Sequence, residues 1–264
     1  MLTLTSRVVH IRFPMLIQKK KAKVTRKLRY HYEFPMAALT VDGVVFGFDP
    51  KDEDNPLKVL MIRRGEEPFT GLWAFPGGHV NIISDEGLED AIRREVREET
   101  KAEFEYLEQL GTFADPHRDP RGRYVTVAYF ALVRKDEHDT IEGCDDADRA
   151  EWIPIRKLTR MKLAFDHNKI LDYAIKRLQA KVRWAPLGFE LLPRAFTIGQ
   201  LQQLYEAILQ RPLDKRNFRR KITSMGILTE AGKAKSRVGP TARLYRFDTK
   251  AYEKAVEKGF NFEL

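Results

Sequence analysis

Glu86-Gly87-Leu88-Glu89-Asp90-Ala91-Ile92-Arg93-Arg94-Glu95-Val96-Arg97-Glu98-Glu99-Thr100 is the stretch of this chain that decides its fold. Its apolar spacing predicts a helix over Glu86–Thr100. At about 100° per residue, Leu88, Ala91, Ile92 and Val96 share one arc, which faces a core. Asp90, Arg93, Arg94 and Arg97 lie toward the opposite side. Glu95 and Glu99, however, fall inside the apolar arc, and Glu98 sits at its edge. An unpaired ionised carboxylate against a core costs on the order of several kcal/mol, and three on one face repel one another. A divalent cation removes both penalties. All-oxygen ligands suit Mg²⁺ or Mn²⁺, and such an ion also holds phosphate oxygens and activates water. The competing reading is a surface helix whose glutamates pair with its own arginines four residues away.

Upstream of this helix, Pro76-Gly77-Gly78 breaks the chain. A strand fits Ala37–Phe48, with a turn at Asp42-Gly43, and an Asp- and Pro-rich loop (Asp49–Pro56) leads to a second strand, Leu57–Ile62. Downstream, Tyr124–Val133 reads as a strand rich in Val, Tyr and Phe. An acidic loop, Asp136–Asp148, and a short strand at Glu151–Ile153, ended by Pro154, follow. A helix then fits Asp166–Arg183, with Ile170, Leu171, Ala174, Ile175 and Leu178 as its apolar stripe. Strands and helices mix in one α+β domain over 34–183. In the segment His117–Arg123, three arginines (Arg118, Arg121 and Arg123) stand within six residues and form a candidate pyrophosphate grip; the bland alternative is a solvated loop. Arg64 and Trp73 are weaker candidates for ligand contact, Trp73 fitting a core position better.

Two prolines and a glycine in Ala185–Pro193 mark a boundary, and the tail over 184–264 reads differently. Thr197-Ile198-Gly199-Gln200 has the form of a capping box. Ile198, Leu201, Leu204, Tyr205 and Ile208 recur at helical spacing until Pro212. Asp214 can cap a second helix, in which Phe218, Ile222 and Met225 share one face. Arg216, Arg219, Arg220 and Thr223 share the other, with Lys221 on a flank and Lys215 at the start. Guanidiniums on the free face of a short helix suit phosphates and guanine edges in a major groove. Ile227-Leu228-Thr229 and Arg243–Phe247 then read as two strands, joined by a loop holding Lys233, Lys235 and Arg237. A cation-tipped hairpin beside a helix-turn-helix reads as a winged helix.

Charge follows the same division. The chain has 264 residues and a net charge of +9. Residues 1–30 carry nine basic and no acidic groups, residues 31–183 carry 23 basic and 30 acidic, and residues 184–264 carry 15 basic and eight acidic. An acidic middle beside a basic end implies a metal- or small-molecule-related task and a meeting with a polyanion. With 43% hydrophobic and 32% charged residues, the composition excludes a disordered or collagen-like chain. The single Cys144 excludes an internal disulfide and points to a reducing, cytoplasmic setting. No apolar run reaches the ~18 residues of a membrane-spanning helix. Residues 1–33 read as a disordered basic extension, or as an over-long start preceding Met15, with an organelle-targeting peptide as a further alternative.

Gly78, Glu86, Arg94-Glu95-Val96-Arg97-Glu98-Glu99 and Ala102 resemble the Nudix box, Gly-x5-Glu-x7-Arg-Glu-apolar-x-Glu-Glu-x-Gly-apolar. Pro76-Gly77-Gly78 before it and Glu151-Trp152-Ile153-Pro154 after it are similar to Nudix landmarks. The resemblance implies that Glu95, Glu98 and Glu99 bind metal, that Arg94 orients them by charge-assisted hydrogen bonds, and that Glu98 or Glu99 takes a proton from attacking water. Two departures stand out. Seven residues, not five, separate Gly78 from Glu86, and Lys101 replaces the glycine whose left-handed conformation ends the helix at little cost. The order of this box, Leu163-Ala164-Phe165-Asp166-His167, Phe196-Thr197, Phe218-Arg219-Arg220 and a basic wing resembles Nudix-related transcriptional regulators of NAD metabolism. The longer Gly78–Glu86 spacing is similar to that of this group. The resemblance covers roughly 34–247. It implies a Nudix domain followed by a winged helix-turn-helix, an ADP-ribose or related nucleotide ligand, an operator duplex as partner, and a homodimer. Gly78 with Arg64, Arg118, Arg121 and Arg123 would line the ligand site. The rival is a Mg²⁺-dependent Nudix enzyme that cleaves ADP-ribose to AMP and ribose 5-phosphate. A third reading makes the tail an RNA clamp, but it lacks the interleaved aromatics that stack bases.

Overall fold

The computed structural model describes residues 33–84, 87–137, 147–234 and 241–260. The extension at 1–32, Glu86, Lys235 and Arg237 therefore lie outside the described residues. Strand β1 (Ala38–Phe48) is the spine of a mixed sheet. It pairs antiparallel with β2 (Leu57–Arg64) and with the short β4 (Gly77–His79). It pairs in parallel with β6 (Tyr124–Val133) from Ala38↔Tyr124 to Gly47↔Val133. The short β3 (Trp73–Ala74) and β7 (Ala147–Pro154) both pair with β2, and β5 (Tyr106–Phe113) pairs with β6.

Both faces of this sheet are covered, so β1 and β6 are continuous apolar runs rather than alternating ones. Val44, Phe46 and Phe48 of β1 face one core, with Phe130 and Leu132 of β6. Val41 and Val45 face the other, with Val127 and Tyr129. Helix α1 (Leu88–Thr100) seals the second core with Ala91, Ile92 and Val96, all fully buried. Each large aliphatic side chain buried there contributes about 1.5–3 kcal/mol. Asp42-Gly43, expected as a turn, lies instead in mid-strand, opposite Ala128 and Tyr129. The missing Cβ at Gly43 lets α1 approach: a Cβ there would stand 3.0 Å from Ile92 Cδ1.

Helix α1 starts after Gly87, with Glu89 and Asp90 in its first turn where the helix dipole favours them. It ends as a glycine-capped helix would, although the cap is Lys101: φ is +60°, and its N–H donates to the Arg97 carbonyl at 3.0 Å. The left-handed lysine costs roughly 1–2 kcal/mol. Ala102 and Phe104, buried immediately beyond, hold it there.

On the other face lie the one-turn α2 (Ile155–Leu158) and α3 (His167–Lys181). The expected boundary, Ala185–Pro193, is no slack linker. It forms a 3₁₀ turn, Leu187–Leu191, whose Phe189 stacks on Phe247 at 4.4 Å. The C-terminal unit contains α4 (Ile198–Leu209), α5 (Lys215–Ser224), a hairpin of β8 (Leu228–Lys233) and β9 (Arg243–Phe247), and α6 (Thr249–Glu257). The capping box forms as read, with Gln200 N–H donating to Thr197 Oγ1 and Thr197 N–H to Gln200 Oε1. Asp214 caps α5 through Asn217 N–H at 2.8 Å. Leu178 and Val182 of the α3 segment share one core with Leu201, Leu204 and Tyr205 of α4, so the two units are packed as one body. Among the described residues no helix is long and apolar enough to cross a membrane.

Candidate functional site

The three glutamates of α1 line its edge beside β4. The Arg94 guanidinium donates to Glu95 Oε1 at 2.9 Å, to Glu98 Oε2 at 3.1 Å and to the His79 carbonyl at 3.0 Å. It thereby orients two carboxylates and ties the helix to β4. Gly78 leaves room for the Glu95 carboxylate: a Cβ there would lie 2.5 Å from Glu95 Oε1 and displace it. Its neighbour Gly77 donates its N–H to Glu99 Oε2 at 2.9 Å. Burial raises the Glu99 pKa to about 8; the charges of Glu95 and Asp42 push the same way, against the Gly77 hydrogen bond and Arg64.

Among the described residues no three His, Cys, Asp or Glu side chains are grouped as a metal cage, because Glu95 and Glu98 are drawn onto Arg94 and Glu99 onto Gly77. The donor set still fits a hard divalent ion. It offers carboxylate oxygens only, and three carboxyl groups share the one guanidinium of Arg94 and the Gly77 N–H.

That pKa has a consequence for stability. Between pH 4.5, the ordinary value, and about 8, the folded chain holds a proton that the unfolded chain releases. Stability of the metal-free protein therefore falls as pH rises through this window and is flat above it. Glu99→Gln keeps an acceptor for Gly77 and removes the ionisation. In chelator, melting scans should show the variant more stable than wild type at pH 8.5, with the difference shrinking toward pH 4. Equal melting temperatures at both pH values contradict the burial of this carboxyl.

Beside the glutamates, two guanidiniums share one aromatic ring. Arg64 lies 5.0 Å and Arg121 5.6 Å from the Phe165 centroid, and Arg121 also lies 4.7 Å over Tyr124. Arg64 donates to the carbonyls of Pro68 and Glu66; Arg121 is held by Asp119 at 2.7 Å. Burial, then the like charge of Arg121, lowers the Arg64 pKa. Phe165 is held at φ +51°, a conformation uncommon for an aromatic residue. Paired cations near a carboxylate cluster can hold a diphosphate, and an ion held by the glutamates would supply further positive charge. Arg123 is exposed at the head of β6.

Arg118 departs from its expected place in a ligand-binding loop. Its side chain is only 4% exposed and donates to Asp166 at 2.8 and 3.2 Å and to Asp42 at 3.4 Å. His167 completes this buried cluster, with Nε2 3.5 Å from Asp42 and Nδ1 accepting the Phe75 N–H at 3.0 Å. Burial opposes ionisation of Asp42, yet His167 and Arg118 hold its pKa below the ordinary value. Arg118 thus clamps β1 to the start of α3; removing one partner from such a buried pair costs about 3–5 kcal/mol. No local pattern in the sequence marks Phe165, Asp166 or His167 as contributors to this cluster. A signal for Asp42 existed: a carboxylate inside a β-branched run needs a buried partner.

In the C-terminal unit, Phe218 and Ile222 bury one face of α5 against α4, with the Phe218 ring 5.8 Å from that of Tyr205. Lys215, Arg216, Arg219, Arg220 and Lys221 remain exposed. Arg243 and Arg246 add exposed cations on the hairpin strand β9, outside the loop whose lysines the sequence makes conspicuous.

An acidic phosphate-type site and a basic helix-turn-helix in one chain are also what known proteins combine. Residues 39–174 match the NUDIX domain model, and residues 188–247 match the NrtR DNA-binding winged helix domain. The ADPR responsive transcriptional repressor NtrR of Acinetobacter baylyi is 34% identical over 230 residues, 87% of either chain. The chain belongs to the NrtR family. A solved NrtR from Shewanella oneidensis, complexed with a 27mer DNA, superposes with a TM-score of 0.71 at 32% identity, covering 85% of this chain and 97% of that one. The ADP-ribose pyrophosphatase of Methanocaldococcus jannaschii is 36% identical over 155 residues, 58% of this chain and 83% of its own. Nudix domains generally use divalent metal ions, in keeping with the donor set on α1. The winged helix match spans α5, whose guanidiniums are exposed.

Proposed function

We propose that this chain is a cytoplasmic, homodimeric repressor that binds an operator duplex and releases it when ADP-ribose occupies the Nudix site. The observation that carries the reading is a carboxylate-and-arginine site in one unit and an unburied guanidinium face on α5 in the other, the two units sharing one core. Residues 34–183 form the sensor and residues 184–264 the reading head. Lys215, Arg216, Arg219, Arg220 and Lys221 meet the major groove, and Lys235 and Arg237 extend the wing along the backbone. Two α5 helices of a dimer enter successive grooves about one helical turn apart. Arg64, Arg121 and Arg123 hold the diphosphate. Glu95, Glu98 and Glu99 hold Mg²⁺ or Mn²⁺, which supplies neutralising charge to its oxygens. Arg118 serves this site by positioning β1 and Phe165.

ADP-ribose can shift the duplex only through a difference in affinity between two states of the protein. The test is a titration of ADP-ribose with Mg²⁺ into protein bound to a duplex that it has selected from a random pool. Affinity for the duplex should fall by roughly 5–150-fold, the usual range of such couplings. ADP-ribose that binds calorimetrically and leaves duplex affinity unchanged overturns the repressor reading.

A second reading is favoured by the complete carboxylate set with its Arg94 and by the identity to the pyrophosphatase: the site cleaves ADP-ribose to AMP and ribose 5-phosphate. The two readings are compatible, since slow turnover clears the signal. AMP formed by the wild-type protein with Mg²⁺ supports an enzyme; bound ADP-ribose without AMP leaves a receptor.

A further inference from the structure

The Nudix domain is acidic as a whole, yet Trp152–Phe165 carries four cations and no carboxylate. These are Arg156, Lys157, Arg160 and Lys162, on and just after α2. Ile155 and Leu158 are buried and fix the turn, while all four cations are exposed. None of the four is ion-paired among the described residues. The strip is solvated, and the acids that line a cleft with Arg156 do not pair with it.

Its position makes it useful. Arg156 lines one cleft, of about 340 Å³, together with Gln210, Arg211 and Pro212. Those three belong to the turn between α4 and α5, and α5 starts three residues later. The turn is rigid: Glu206 accepts the Leu213 N–H at 2.8 Å, and Gln202 donates to the Leu213 carbonyl at 3.0 Å. The α2 side is equally fixed, because Ile155 and Leu158 share a core with Leu204 and Ile208 of α4. Arg156, at the start of the strip, is therefore held beside the helix-turn-helix turn. Glu53 and Asp54 line the same cleft and bias a polyanion toward the Arg156–Arg211 rim.

We propose that Arg156, Lys157 and Arg160 of the Nudix domain contact the DNA phosphate backbone, continuing the electrostatic footprint of the winged helix past Arg211. The inference rests on the DNA-binding reading of α5 given above. It makes the sensor domain itself part of the DNA interface, through contacts that carry charge and no sequence information.

Phosphate contacts are counted by salt. Each neutralised phosphate contributes about −0.9 to the slope of log affinity against log salt. In the full chain, Arg156→Ala, Lys157→Ala and Arg160→Ala together should flatten that slope by roughly 2–3 for each protomer on the duplex, about 5 for the homodimer. They should weaken selected and random duplexes alike and leave ADP-ribose binding unchanged. Replacing Arg156 and Arg160 by Lys should preserve the slope, which separates charge from packing. Glu53→Gln with Asp54→Asn should tighten duplex binding. An unchanged slope and affinity in the triple variant, with the wild type binding DNA steeply, overturns the proposal while sparing the reading of α5. A wild type that binds no duplex overturns that reading, and this inference with it.

Discussion

Arg216→Ala combined with Arg220→Ala is expected to weaken duplex binding by roughly 10²–10⁴-fold for each protomer on the duplex, at about 1–3 kcal/mol per specific arginine contact. The two residues stand one turn apart on the exposed face of α5, opposite Phe218 and Ile222. Neither contributes to packing. The one hydrogen bond Arg220 makes among the described residues is to Asn217, within the same helix. Alanine is also a good helix former, so α5 should persist. Calorimetry on the variant should therefore give wild-type ADP-ribose affinity, while anisotropy with the selected duplex shows the loss. Discrimination between selected and random duplexes should narrow as well, because base-edge contacts carry specificity and phosphate contacts do not. Duplex affinity equal to wild type would mean that another surface reads DNA.

What the chain reveals before folding depends on the range of each interaction. Local chemistry is legible. The Thr197–Gln200 capping box, the Asp214 cap, the bounds of β6 and the buried stripe of α1 all depend on residues within one or two turns of each other. Long-range pairing is not. Asp42 beside Gly43 has turn chemistry, and only Arg118 and His167, far along the chain, make it a mid-strand residue. In the same way, Arg118, Arg121 and Arg123 look equivalent as three arginines of one loop. Asp166 draws the first inward, Asp119 and Tyr124 hold the second at the site, and the third stays in water. Strand β5 escaped notice because it buries only Leu110 and shows little alternation. Lys101 shows the opposite failure: a local preference against the left-handed region is overridden by burial of Ala102 and Phe104 just after it.

Glu98→Gln is expected to lower Mg²⁺-dependent formation of AMP from ADP-ribose by about 10²–10⁴-fold, the range typical of a lost general base, with a further loss where the metal is held less well. Glu98 is the best placed of the three glutamates for this test. Its side chain is 47% exposed, so a neutral isostere leaves the fold within about 0.5 kcal/mol of wild type. Glu95 lies against Gly78 and Glu99 against Gly77, and substitutions there disturb the β4 backbone as well as the charge. Gln at 98 keeps an oxygen for Arg94 while removing the negative charge that binds metal and accepts a proton. Duplex binding in the absence of ADP-ribose should be unaffected, since α1 is remote in sequence and packing from α5. AMP formation at the wild-type rate in this variant would remove Glu98 from the site. A wild type that binds ADP-ribose and forms no AMP shifts the readout. The substitution should then weaken the Mg²⁺-dependent release of duplex by ADP-ribose, because the same carboxylate that serves an enzyme as base serves a receptor as a metal ligand.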